Sequence, residues 1–222
     1  RARFIMGVTH DLKTPLSIIQ SYAELIDDGM ASDPASQKTA TEIILAKVDQ
    51  LETMINHLIE FVKMDTGEWQ SQLSHVNIAV FLKTFARRFI LDVEALHHNM
   101  TANITIPENT FVLLDERLVL RALENLVGNA IRHTPDGSLV TLDASQDKNS
   151  IHVTISDNGP GISEKDISHI FETFYRSSAS RREQGMGIGL SVVKWVIDSH
   201  GWKIEVASEY GKGTCFKVTI PG

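Results

Sequence analysis

Cysteine is almost absent from this chain: Cys215 is the only one in 222 residues. No intramolecular disulfide can form, and its place in the alternating run TCFKVTI reads as a small strand residue in a protein suited to a reducing cytosol. Basic charge is also short, with 21 Lys and Arg against 28 Asp and Glu for a net charge of −7. That balance leaves no electrostatic footprint for nucleic acid, although local basic clusters could still hold a phosphorylated small molecule. No apolar run approaches the length needed to span a bilayer. The first residues, RARFIMGV, are helix-patterned rather than signal-like, so the chain is expected to begin inside a helix as a piece of a longer protein. Internal repeats and low-complexity tracts are missing too.

What is present is a globular composition, 42% hydrophobic, of a length that suits two domains. Phe4, Val8, Leu12, Ile19, Ala23 and Ile26 follow three- and four-residue steps apart from one gap of seven around Pro15, which predicts one long amphipathic helix. A loop is expected at DDGMASDPAS, with Ser36 as the candidate cap of the next helix. In that helix Ile44, Val48, Leu51, Ile55, Leu58 and Val62 repeat at 4-3-4-3-4 spacing, a heptad seam ending near MDTGEW. Two such helices make an antiparallel hairpin with too little core of its own. Pairing with a second copy into a four-helix bundle would bury both seams, so residues 1–66 predict a symmetric dimer.

Residues 67–77 read as a linker, and 78–222 as a second domain of mixed elements. Helices are expected over 78–97, 116–134 and near 188–200. Strands are expected in TANITI, FVLLD, SLVTLDAS, SIHVTISD, KIEVAS and CFKVTIP. They adjoin turn signals rather than regular βα units, which favours an α+β class: an α/β sandwich with helices on one face of a mixed sheet.

The chemistry-bearing stretches are individually weak. His10 in GVTHDLKTPL has no metal-ligand partners nearby and no triad nucleophile, and by itself is better read as a solvated histidine on a bundle surface. DNGPGI ends a strand with an acid and two glycines, as an open pocket for a flat ligand or an ordinary turn would. GMGIGL opens a helix, where backbone N–H groups could cradle phosphate, or is only a loop. ENLVGNAIRHT sets Asn125 and Asn129 one turn apart on one face, either buried and paired or offering amide oxygens to a hard cation such as Mg²⁺.

The order HDLKTPL, ENLVGNAIRHT, DNGPGI, FETFYRS, GMGIGLSVVK, GKGTCFKVTIP resembles the H, N, G1, F and G2 boxes of sensor histidine kinases of two-component systems. The resemblance covers essentially the whole chain. It implies a dimerisation and phosphoacceptor hairpin followed by a Bergerat-fold ATP-binding domain, with ATP and Mg²⁺ as cofactors. A homodimer, a cognate response regulator and no nucleic acid are the implied partners. The chain would be the cytoplasmic portion of a membrane-anchored parent, with the membrane reached only through segments outside this sequence.

By the same resemblance His10 is the phosphoacceptor, Asp11 orients its ring and takes the proton, and Thr14, one turn on, serves the reverse phosphatase reaction. Pro15 is expected to bend the helix. Asn129 is the Mg²⁺ ligand and Asn125 the second amide. Arg132 stands where the family often has a lysine facing the phosphates, and His133 packs near the nucleotide. Asp157 accepts a hydrogen bond from the adenine amino group, Gly159 and Gly161 keep that pocket open, and Thr214 lies near the base, though it is nearly as well read as a plain strand residue. Gly185, Gly187, Gly189 and Leu190 line the triphosphate. Arg176 is the candidate to stabilise the transferring phosphoryl group, with Phe171 and Phe174 as anchors of a lid over 176–184 whose Arg181 and Arg182 are read as solvated charges.

Rival readings remain open at this stage: a chain acting mainly as a phosphatase, a catalytically silent ATP-binding scaffold, and an ATPase of the Hsp90 or MutL type. The last would not account for the hairpin that carries His10.

Overall fold

The computed structural model describes residues 2–69, 71–176 and 186–222, with the backbone alone at 2–7 and 10. Two long helices, α1 (Ala2–Asp27) and α2 (Pro34–Asp65), form the hairpin, and α1 continues through Pro15. Their turn differs from the sequence expectation. Asp33, not Ser36, caps α2: its carboxylate accepts from the Ala35 and Ser36 N–H groups, each at 3.0 Å, with Pro34 in the first turn. Asp33 precedes a proline whose missing N–H and fixed φ suit a helix start, whereas Ser36 already lies within the first turn.

The heptad seam of α2 is split: Ile44, Leu51 and Leu58 are partly buried, whereas Val48, Ile55 and Val62 are 37%, 47% and 45% exposed, so one side of the seam stays open within one chain.

Beyond the hairpin come β1 (Ser74–Asn77), α3 (Ile78–Ala95), β2 (Asn99–Thr105), β3 (Phe111–Leu114) and α4 (Glu116–Arg132). Then follow β4 (Leu139–Gln146), β5 (Ser150–Asp157), α5 (Glu164–Ile167), α6 (Gly189–Ser199), β6 (Lys203–Glu209) and β7 (Gly213–Pro221). Within the stretch read as a linker, β1 pairs antiparallel with β3. The main sheet has the order β2-β4-β5-β7-β6, parallel only between β2 and β4. Alternation decides its faces. Ile151, Val153 and Ile155 of β5 and Phe216, Val218 and Ile220 of β7 are buried, while His152, Thr154, Lys217 and Thr219 point the other way and remain partly or fully exposed. α3, α4 and α6 bury Leu82, Phe85, Val119, Leu126, Val193 and Val196 in the same core, so the helices cover one face.

The same parity continues to the ends of the two strands. Asp157 and Thr214, paired across β5 and β7, fall on the inward side with the buried residues. This is how the sheet delivers an acid to the helix layer.

One buried carboxylate ties the domain together. Asp115, 1% exposed, caps α4 by accepting from the Arg117 and Leu118 N–H groups and also accepts from the Gln72 N–H at 2.8 Å. Its own N–H donates to Nε2 of His200 at 3.0 Å, and Nδ1 of His200 lies 2.7 Å from the Val196 carbonyl, which assigns the ring proton to Nδ1. Burial acts to raise the Asp115 pKa, but the hydrogen bonds from Gln72, Arg117 and Leu118 outweigh it and hold the carboxyl below its usual value. A depressed folded pKa means that this stabilisation is present above the unfolded value of 3.8 and is lost as pH falls through the lower folded one. Asp115→Ala strands several buried N–H groups and removes a cap, and should cost about 2–4 kcal/mol in urea unfolding. An unchanged midpoint would show that water replaces the carboxylate at no cost.

Candidate nucleotide and phosphoacceptor site

Helix α4 has two faces. Leu118, Val119, Ala122, Leu123, Leu126, Val127 and Ala130 are buried, and the opposite side carries Arg121, Glu124, Asn125, Gly128, Asn129 and Arg132. That second side walls a cavity of about 590 Å³, which suits a ligand of nucleotide size. The structure brings Asn125, Asn129, Arg132, His133, Asp157, Gly161, Gly187, Gly189, Leu190, Thr214 and Arg176 to this one space. Gly159 adjoins it, its N–H donating to Asp157 Oδ1 at 2.9 Å. Gly185 lies outside the described residues, as do Arg181 and Arg182.

At one end the floor is Asp157. Burial raises its pKa against three opposing influences: hydrogen bonds from the Gly159 and Thr214 N–H groups and the nearby charge of His133. Thr214 is itself buried, with its hydroxyl 3.1 Å from that of Ser208. Gly161 adopts φ +71°, and a side chain there would collide with the Glu209 carbonyl. An acid acceptor beside backbone that cannot carry side chains is a fitting seat for a flat, amino-bearing ring.

The other end suits an anion. Helix α6 starts at Gly189 with Ile188 as its N-cap, a side chain that makes no capping hydrogen bond to its first N–H groups. Gly187 at φ +66° lets the chain pass against the Phe174 and Tyr175 backbone, and the Phe174 N–H donates to the Gly187 carbonyl at 2.9 Å. Phe174 itself holds φ 66°, an uncommon value for a bulky residue, at the point where this loop meets the cavity. The buried Nδ2 of Asn125 has no hydrogen-bond partner among the described residues. An orphaned amide, a helix N-terminus without a side-chain cap from its own N-cap residue and the arginines 121, 132 and 176 together fit a polyphosphate.

The hairpin meets this site. Arg176 Nη1 lies 3.7 Å from Asp11 Oδ2, which joins the cavity wall to the residue next to His10 on α1. Phe174 packs edge-on against Phe61 of α2 at 5.1 Å, and Phe171 against Phe216 at 6.3 Å. Thr14 sits one turn beyond His10 on α1, outside the cavity lining. Sequence reasoning missed Thr53, Asn56 and His57 of α2, and Arg121, Glu124, Asp166, Tyr175 and Tyr210, all of which line the space. Only the polar break at Asn56 and His57 beside the apolar seam could have hinted at the first group.

Comparison with known proteins agrees with this geometry. Residues 1–67 match the family described as His Kinase A (phospho-acceptor) domain. Residues 114–222 match the family described as histidine kinase-, DNA gyrase B-, and HSP90-like ATPase. Sensor protein SrrB of Staphylococcus aureus strain MRSA252 is 31% identical over 220 residues, 98% of this chain and 37% of its own length. The chain thus spans little more than a third of the curated relatives it matches. Among solved structures, histidine kinase ThkA in complex with the response regulator protein TrrA aligns at TM-score 0.77 and 22% identity, over 99% of this chain and 61% of that one. The histidine kinase AdeS of Acinetobacter baumannii aligns at TM-score 0.72 and 21% identity, over 96% and 97%. With both families matched in this order along a hairpin and a one-sided sandwich, the chain belongs to the sensor histidine kinases.

Proposed function

We propose that this chain is the core of an ATP-dependent protein-histidine kinase, which phosphorylates its own His10 and passes the phosphoryl group to an aspartate of a separate response regulator. The observation that carries the reading is the contact between Arg176, on the cavity wall, and Asp11, the neighbour of His10. It supports a docked arrangement in which a nucleotide in the cavity faces the phosphoacceptor helix.

Each step has a candidate residue in this chain. The neutral imidazole of His10 attacks the γ-phosphorus, an N–P bond forms, and the bond from that phosphorus to the bridging oxygen breaks with its electron pair leaving on ADP. Asp11 accepts the proton that the ring gives up. Arg176 and Arg132 neutralise charge on the moving phosphoryl group and the triphosphate, since catalysis in such transfers is mostly positioning and electrostatics. Asn129, with an amide oxygen and no acidic cluster of described residues around it, fits a Mg²⁺ ion held jointly with nucleotide oxygens. When bound, that ion would supply further neutralisation of phosphate charge. Asp157 reads the amino group of adenine.

The same reading covers assembly. Residues 1–66 form the dimerisation and phosphotransfer hairpin, 67–77 connect, and 78–222 bind ATP. The exposed seam of α2 supports a homodimer through the hairpin. The ThkA structure in complex with TrrA supports a response regulator as partner. Thr14, one turn from His10, serves the reverse, water-directed dephosphorylation of that partner. No helix among the described residues is long and apolar enough to cross a membrane, and a membrane-anchored parent with this chain as its cytoplasmic portion belongs to the proposal.

Incubation with ATP labelled on the γ-phosphate tests the reading. Acid-labile, base-stable label on the protein is expected, and Asn129→Asp, which sets a negative charge against the triphosphate, should lower the rate about a hundredfold. Nucleotide bound without label or turnover would favour the silent scaffold; phosphate released to water without labelled protein would favour the Hsp90-type ATPase.

A further inference from the structure

The cavity is not built by the catalytic domain alone. Thr53, Asn56 and His57 of α2, at spacings of three and four residues and so on one helix face, line the same space as Asn125, Asn129 and Arg132. We propose that this face of the second hairpin helix is part of the nucleotide site, with His57 donating to the phosphate end of a bound nucleoside triphosphate, so that binding the nucleotide and docking the two domains are one event. The proposal rests on the cavity being a nucleotide site and adds which residues of the phosphoacceptor domain complete it.

Two contacts on α2 and a third on the stretch after it fix its approach. One turn from His57, Glu60 Oε1 meets Arg121 Nε of α4 at 2.6 Å. Phe61 packs against Phe174, which leads into the Gly187 loop. Past the end of α2, the rings of Trp69 and Trp195 of α6 lie 4.9 Å apart. All three hold α2 over the α4 face that carries the two asparagines.

The position of His57 along α4 follows from its neighbours. One turn from it, Glu60 meets Arg121, which precedes Asn125 by one turn on α4, and a side chain at Gly189, the first residue of α6, would meet the Asn125 side chain. Asp157 and His133 mark the other end of the cavity, beyond the C-terminus of α4. His57 therefore stands over the phosphate end and not over the base.

Its chemistry suits that place. Burial, then Arg121, then Arg132 hold its pKa down to about 4, so the ring is neutral at pH 7 and keeps one N–H to donate. No described residue accepts that N–H, so a phosphate oxygen would take a donor that is already half-buried and idle.

Calorimetric titration of the whole chain with Mg²⁺-ATP and, separately, with adenosine tests the proposal. His57→Ala should weaken ATP about threefold to tenfold, the worth of one such hydrogen bond, and leave adenosine unchanged. His57→Gln, which keeps an N–H donor, should recover most of the loss. ATP affinity equal to wild type in His57→Ala overturns the proposal, as does an equal loss for ATP and adenosine, or no recovery by glutamine; each would mean the helix acts only as packing. A wild-type chain that binds neither ligand overturns the nucleotide reading itself.

Discussion

Replacing His10 by glutamine should abolish acid-labile labelling, by at least about a thousandfold, while nucleotide binding stays within about twofold of wild type. Glutamine keeps a polar side chain of similar length in helix α1 and removes the imidazole nitrogen proposed to attack phosphorus. The split between lost transfer and retained binding is what distinguishes a nucleophile from a packing residue. Asp11→Asn is the graded companion: it preserves shape and removes the proton acceptor, so a loss of about a hundredfold is expected, the usual scale for general-base assistance. Because Asp11 also meets Arg176 at 3.7 Å, Arg176→Ala and the double variant should be far from additive with it. Additive losses would mean that the contact between the cavity wall and α1 has no part in transfer. Full labelling of His10→Gln would place the phosphoacceptor elsewhere in the chain.

Asp157 carries the second large effect. Asp157→Asn should weaken ATP about tenfold to a hundredfold, since it replaces a charged acceptor by a neutral amide whose N–H₂ can face the adenine amino group. Discrimination against GTP should shrink with it, because the carboxylate favours a ring with an amino group over one with a carbonyl. The pH dependence follows from the same burial. With its pKa raised, the folded protein holds a proton that the unfolded chain releases near 3.8. Between that value and the raised one the folded state binds more protons than the unfolded, so the stability of the nucleotide-free protein falls as pH rises through this window. Nucleotide affinity runs the opposite way, falling with acidification as the carboxylate is protonated. Asp157→Asn, which cannot ionise, should flatten both curves and be the more stable protein at neutral pH. Calorimetry with ATP and GTP across pH, paired with thermal unfolding, measures all three. An Asp157→Asn variant that binds ATP like wild type and still rejects GTP would assign base recognition to other groups.

The two variants differ in what they ask of the fold. His10 needs only a helix and a neighbour, whereas Asp157 needs the end of a central strand, a helix layer and two backbone N–H groups around it. That difference also separates what could be read early from what could not.

Local periodicity settled much of this protein in advance. The 4-3 repeat from Ile44 to Val62 gave α2 and the seam of which Val48, Ile55 and Val62 stay exposed, because side chains three and four apart share a helix face whatever surrounds them. Alternation in SIHVTISD and CFKVTIP gave the inward parity of Asp157 and Thr214 for the same kind of reason. The order of the boxes named the family from residues alone. Capping was legible only in part: Ser36 and Asp33 are both good caps by type, and the choice fell to Asp33 because Pro34 starts the helix.

Tertiary structure decided what joins residues far apart in the chain. Strand β1 exists because Ser74 to Asn77 find β3 nearly forty residues on, and nothing local in SHVN announces a strand. Asp115 joins Gln72 and His200, which lie far apart in the chain. The wall that Thr53, Asn56 and His57 lend to the cavity depends on how α2 settles against α4. Backbone propensity and side-chain period act over one or two turns, so they fix elements and faces. Which faces meet is set by burial and pairing across the whole chain, and only the folded arrangement shows that the helix carrying the hairpin's heptad seam also lines the cavity beside α4.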